Sequence, residues 1–195
     1  MPQNIFTWVW WCVFAAVSAL SALQPHDRFT WFLETLPAFL AAPLVWYVQS
    51  RSQMFSRVVL VWVLLHCTVL FIGGHYTYAE VPLGDWLREG LGLARNPYDR
   101  IGHFMQGFVP ALVAREVLLR QTPLQKGAWL FALVCSVCLS VSVLYEFLEW
   151  WVAVFTGEAA EAFLGTQGDP WDTQWDMFFA LIGSVLAQWM YKIKK

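Results

Sequence analysis

The chain has 195 residues, 58% hydrophobic and only 13% charged, with a net charge of −2. Soluble domains carry about 25% charged residues, and 12 basic and 14 acidic side chains cannot wet the surface of a globule this long. This excludes a soluble enzyme, a disordered chain and a disulfide scaffold, and the charge balance leaves no nucleic acid as partner. What remains is an all-α, polytopic membrane protein, a bundle of transmembrane helices whose first partner is the lipid bilayer.

A spanning helix needs about 20 mostly apolar residues. Six segments approach this length within one integral-membrane domain, 1–195: 5–23, 31–48, 58–74, 101–119, 128–155 and 171–191. The first has no Lys or Arg before Arg28 and an apolar run longer than a signal peptide uses, so it reads as a retained helix. The second is interrupted by Glu34, Pro37 and Pro43. The third carries a lone mid-span His66, read as an interhelical hydrogen bond. It ends in Gly73-Gly74, where the helix can bend or a neighbour can approach closely. The connection 76–100 contains an amphipathic stretch, 83–93, suited to lie along the outer membrane surface. In the fifth segment Cys135 and Cys138 sit in apolar surroundings and act as small hydrophobes. Gly165, Gly168 and Pro170 make the loop before the last segment a defined turn. Trp10, Trp11, Trp31, Trp150, Trp151, Trp171 and Trp175 fall near outer boundaries and read as interfacial anchors.

Lys and Arg set the orientation. Arg51, Arg57, Arg115, Arg120, Lys126, Lys192, Lys194 and Lys195 share one side; Arg28, Arg88, Arg95 and Arg100 lie on the other. Both termini are therefore expected in the cytoplasm.

Ionisable side chains inside a span cost about 2.5–3.5 kcal/mol each on translocon scales, and chains that keep them usually use them. The topology gives each a depth. His75 ends the third span on the outer side. Asp99 and His103 are four apart on the outer end of the fourth, with Gln106 one turn deeper. Tyr145, Glu146 and Glu149 lie in the outer half of the fifth. Asp172 and Asp176, four apart, begin the sixth, and Asp169 lies one turn earlier. Separate helices thus deliver acids and imidazoles to the same leaflet, although the orientation was fixed from residues outside this set. Crowded carboxylates repel one another, with His75, His103 and Arg100 as the available counter-groups. A divalent cation removes the conflict: Zn²⁺, Mn²⁺ or Fe²⁺ for a mixed carboxylate and imidazole set, Mg²⁺ for oxygens alone. A metal-free carboxylate network and a purely structural hydrogen-bonded cluster are the alternatives.

Four motifs resemble the bacterial YjdF inner-membrane family: Gly73-Gly74-His75-Tyr76-Thr77-Tyr78, Tyr98-Asp99-Arg100-Ile101-Gly102-His103-Phe104, Tyr145-Glu146-Phe147-Leu148-Glu149-Trp150, and the run from Gln167 to Met177. The resemblance covers nearly the whole chain. It implies a multi-pass protein of the bacterial inner membrane and no established activity. The chain is also similar, more faintly, to VanZ-like membrane proteins, in the run from Asp99 to Phe104, in Glu146 to Glu149, and in Asp176, Ala180 and Gly183. Glu149 stands where those proteins have Gln, and Ala180 where they have Asn.

The resulting expectation is a periplasm-facing, metal-dependent enzyme acting on a lipid or envelope head group by hydrolysis or group transfer. Asp99, His103, Asp172 and Asp176 are the expected ligands, with Asp169, Gln106 and Tyr145 as further candidates. Glu146 or Glu149 would serve as general base toward a metal-bound water, and His75 would polarise substrate or act as acid. The alternatives are a proton- or cation-coupled transporter or lipid carrier using the same acids, and a non-catalytic membrane partner subunit. The sequence does not specify the oligomeric state.

Overall fold

The computed structural model describes residues 5–157 and 161–193, and among these there are helices and no strands. In chain order they are α1 (Ile5–Ser21), α2 (Arg28–Ser52), α3 (Arg57–Tyr76), a short 3₁₀ turn (Tyr78–Glu80), α4 (Pro82–Leu91), α5 (Tyr98–Gln121), α6 (Ala128–Thr156), α7 (Glu161–Leu164) and α8 (Asp172–Ile193). Each of the six expected segments falls on one helix, namely α1, α2, α3, α5, α6 and α8. α2, α3 and α6 are long and apolar enough to cross a membrane, and α1 is apolar but shorter. The stretch 83–93 forms α4, with Leu83, Trp86 and Leu91 left exposed along it.

Local chemistry sets the helix ends. The Asp27 carboxylate accepts the Thr30 N–H at 2.7 Å and caps α2; Ser56 caps α3 through the Val59 N–H at 3.3 Å. Each side chain satisfies a donor that the first helical turn leaves without a partner. Pro82 opens α4, and Gly92 closes it in the left-handed region at φ 64°, where glycine carries no steric penalty. Pro37 and Pro43 lie inside α2 and Pro110 inside α5, and both helices continue through them.

The packing centres on α5. It lies against α8 over the most extensive contact in the chain, and also against α6 and α3; α3 in turn carries α1 and α2. At the α5–α8 crossing a Cβ on Gly107 would overlap the Ala180 carbonyl oxygen, and one on Gly183 would overlap that of Phe104. The two backbones touch, the small-residue contact that packs helices closely in lipid. Gly73 and Gly102 serve a different approach. A Cβ at either would strike the Tyr78 ring, which is buried between α3 and α5. α3 does not bend at Gly73-Gly74 but stays helical to Tyr76.

One anchor assignment is corrected. Trp10 is 2% exposed, and its indole N–H donates to the Leu60 carbonyl at 2.7 Å. It belongs to an aromatic core with Phe14 and Trp46, because α1 turns this face toward α3. Trp11 packs edge-on against it at 4.9 Å between ring centroids. Trp150, Trp151, Trp171 and Trp175 are exposed.

The Asp27 cap gives a pH-dependent prediction. Its carboxyl lies below the ordinary aspartate value, chiefly because the Thr30 backbone N–H bonds the charged form. The cap's contribution is therefore present above the unfolded-state value, about 3.9, and is lost as pH falls through the folded one. Asp27→Ala should destabilise by about 1 kcal/mol at pH 7, and melting curves in detergent should show the gap to wild type closing on acidification. Gly107→Leu, by contrast, should separate α5 from α8 and abolish a cooperative melt at any pH.

Candidate functional site

The segment before α5 is fixed by Asn96, which is fully buried. Its side-chain Nδ2–H donates to the Val81 carbonyl at 3.0 Å and its Oδ1 accepts the Tyr98 N–H at 3.0 Å. Its backbone pairs reciprocally with the Gln167 amide: the Asn96 N–H donates to Oε1 at 2.9 Å, and Nε2–H donates to the Asn96 carbonyl at 3.0 Å. This clamp holds the loop before α8 against the start of α5. Arg95 is thereby buried among the acids of both helices. Its guanidinium pairs with Asp172 and Asp99 (3.4 Å to the latter), lies 3.7 Å from Asp169, and donates to the Gly165 carbonyl at 3.1 Å. Arg100 donates to Asp169 at 3.0 Å and lies over the Trp175 ring at 5.2 Å.

One turn deeper, His103 is 5% exposed and has acids on both ring edges. Nδ1 meets the Gln106 Oε1 at 2.9 Å and stands 3.9 Å from Glu146 Oε1. Nε2 stands 3.5 Å from Asp99 Oδ1 and 4.0 Å from Asp176 Oδ2. Two tautomers fit this pair. With Nδ1–H donating to Oε1, Nε2 turns a lone pair to the two carboxylates and a second proton or a cation balances them; with Nε2–H, the ring itself faces them with a proton. The ligating atoms of Asp99, His103 and Asp176 all lie within 4.8 Å of one another. Asp176 Oδ1 and Glu146 Oε1 are buried without a hydrogen-bond partner, an expensive condition for any polar atom.

On its other side His103 walls a cavity of about 190 Å³ between α2, α3, α5 and α6. Glu34, Asp99, Tyr145 and Glu149 stand at one end, where the Tyr145 hydroxyl donates to Glu34 Oε2 at 3.2 Å. The remaining lining is almost wholly apolar, including Ala38, Val45, Val63, Cys67 and Val109, with His66 on the wall.

The structure brings together Asp99, His103, Gln106, Glu146 and Asp176, with Glu149 and Tyr145 on the adjoining cavity wall and Asp172 held by Arg95. Asp169 stands at the rim with Arg100. His75 stands apart: its ring Nδ1 lies 2.9 Å from the Ser21 carbonyl oxygen at the end of α1, and its ring packs on Tyr76. Sequence reasoning counted Arg95 only for topology. The signal that it belongs to the site was present, since it precedes Asp99 by four residues. Asn96 and Gln167 carried no such signal.

A family model described as "Predicted membrane protein (DUF2238)" matches residues 6–195. The chain is 46% identical over 165 residues to the inner membrane protein YjdF of Escherichia coli (strain K12), an alignment covering 85% of this chain and 78% of that protein. No solved structure matches the chain. The inner-membrane location expected from the motifs agrees with that relative.

Arg95 gives this site its stability prediction. Arg95→Gln leaves Asp99 and Asp172 buried side by side without their cation, a change that costs about 3–5 kcal/mol in buried pairs. The melting midpoint in detergent should fall accordingly. Asp172→Asn in the same chain should recover part of the loss, and strictly additive effects would show that the pair is not coupled.

Proposed function

The chain belongs to the DUF2238 family of predicted membrane proteins, and from that premise we propose a six-span bundle with both termini in the cytoplasm and a metal-dependent site facing the periplasm. α5 and α8 supply two of the spans, with their ionisable groups turned toward each other. Asp99, His103 and Asp176 hold one divalent cation of the Zn²⁺, Mn²⁺ or Fe²⁺ type, and Asp172 is kept for Arg95. The observation that carries this reading is His103 Nε2 facing two carboxylates at 3.5 and 4.0 Å. Both distances exceed an ordinary hydrogen bond, about 2.7–3.2 Å. They suit ligands sharing an ion about 2.0–2.2 Å from each.

The reaction is hydrolysis or group transfer at a lipid or envelope head group. A cation held there would supply an activated water for that chemistry, and Glu146, whose Oε1 is free of hydrogen bonds, would take up a proton behind the imidazole. Hydrolysis would divide one water between the two products, its oxygen going to the head group and a proton to the leaving oxygen of the broken ester bond. Glu149 lines the substrate side of the same helix face. His75 has no part in this reading.

A second reading has its own observation in Arg95. The guanidinium already offsets Asp99 and Asp172, and the cluster then works without metal as a proton- or cation-coupled carrier. Metal analysis of the purified protein after reloading with Zn²⁺ or Mn²⁺ separates the two. Stoichiometric metal, lost in both Asp99→Asn and Asp176→Asn and kept in the exposed Glu80→Gln, is the expected result. A folded wild type without metal but with pH-dependent cation flux in proteoliposomes would replace the enzyme by the carrier, and neither metal nor flux would leave a partner subunit. The topology has a separate check. Glu89→Cys on α4 should react with a membrane-impermeant maleimide added outside intact spheroplasts, and reaction only after lysis would invert the orientation.

A further inference from the structure

The cavity beside His103 has one end crowded with polar groups and a mostly apolar shaft, and its walls come from α2 and α3 on one side and α5 and α6 on the other. α2 lies along α3, α3 along α5 and α5 along α6, yet α2 and α6 do not pack along each other. They meet through the Tyr145–Glu34 hydrogen bond at the outer end. There the buried Phe163 of α7 stands 6.4 Å from the Tyr145 ring, between centroids, and α7 also touches α2. Below that closure the rims are small or short: Pro37 and Ala41 on α2, Val141 on α6. Ala41 and Val141 are exposed on the face that a bilayer covers, while Val63, Cys67 and Val109 behind them are buried.

We infer that this slot is a lateral portal through which one hydrocarbon chain of a bilayer lipid enters between α2 and α6, bringing the lipid's polar group to Glu34, Tyr145, Asp99 and His103. The inference rests on reading the cluster as a site for lipid head groups and names how that substrate arrives. The argument for the occupant is continuity and polarity. α2 and α6 are both apolar enough to span the membrane, so the medium outside the slot is acyl chain. A void with apolar walls stays dry and takes hydrocarbon: an engineered cavity of about 150 Å³ binds benzene, and this one is about 190 Å³. The carboxylates converge at the outer end, and His66 and Gln106 add polar atoms to a wall that is otherwise mostly apolar. The arrangement divides an amphiphile at its head-to-chain junction. The residues with chemistry stand at that junction, about 16 Å along α2 from Glu34 to Val45 at about 1.5 Å per residue. The opening also explains why Ala38 and Ala41 occupy the cavity side of a helix whose outer face carries Phe39, Leu40 and Leu44.

The test uses the full chain in vesicles of phosphatidylethanolamine and phosphatidylglycerol. A small share of the phosphatidylethanolamine carries a photoactivatable diazirine midway along one acyl chain, and adducts are mapped by peptide mass spectrometry. Adducts are expected at Val63, Cys67 and Val109, behind the rim. Ala41→Trp and Val141→Trp, which fill the slot from opposite sides, should each lower them about tenfold, or about 1.4 kcal/mol in apparent affinity. Leu44→Trp on the lipid face should leave them unchanged. Adducts confined to surface positions such as Val9 and Leu144, or wall adducts equally strong in both rim variants, would overturn the portal. Metal content measured on the same samples keeps the two readings apart. Surface-only adducts in a protein that binds metal reject the portal alone, and wall adducts in a protein without metal reject only the metal chemistry.

Discussion

Gly107 faces the carbonyl of Ala180 and Gly183 faces that of Phe104, so α5 and α8 approach until their backbones touch. No hydrophobic force drives this pairing in a bilayer, since lipid tails are as apolar as the side chains they would replace; close van der Waals contact has to do it. The consequence lies two turns outward. Helices this close bring Asp99 and His103 of α5 against Asp172 and Asp176 of α8, and the acids end up sharing one histidine and one arginine. A larger residue at either glycine would separate the same side chains by more than a hydrogen bond or a ligand shell can span.

The polar residues at this end of the bundle are organised in two layers with different work. The upper layer is the ion-paired set, with Arg95 between Asp99 and Asp172, Arg100 on Asp169, and the Asn96–Gln167 clamp holding the two loops together. Each of its three aspartates has an arginine partner, so its contribution is to hold α5 and α8 in one register. The lower layer is His103 with Asp176, Glu146 and the far oxygen of Asp99. It has more acceptors than donors and two buried oxygens with no partner. The lower layer is therefore the place where an added proton or cation would find acceptors without partners.

Much of this was legible in the sequence because the bilayer simplifies the code. The long helices follow directly from apolar runs of membrane length. The i, i+4 pairs Asp99–His103 and Asp172–Asp176 follow from helical periodicity, and their meeting at one end of the bundle follows from the alternating direction of successive helices. What could not be read were the features set by packing between helices. Arg95 entered only as a topology marker; its spacing to Asp99 was legible, but the Asp172 partner was not, because that contact depends on the Gln167 loop folding against the start of α5. His75 looked like a site residue from its depth alone, but α3 turns it toward Ser21 of α1, and rotation about the helix axis is fixed by neighbours rather than by depth. Trp10 looked like an anchor for the same reason. The cavity was invisible because a space between α2 and α6 is the absence of a contact, and no residue pattern encodes one.

His103 joins the two halves of the molecule. One ring face contributes to the wall of the apolar cavity, together with Asp99, while its nitrogens point at the acids of α5, α6 and α8. A group seated in the cavity therefore reaches Asp99 and His103 but not Asp176 or Glu146, which lie behind the imidazole and do not line the space. This asymmetry orders the site. The acids behind the ring meet a bound molecule only through what His103 and Asp99 hold between them, and the apolar shaft fixes the direction from which that molecule comes. Substitutions behind the ring and substitutions along the shaft therefore act on different steps. The first change what His103 carries; the second change what arrives beside it.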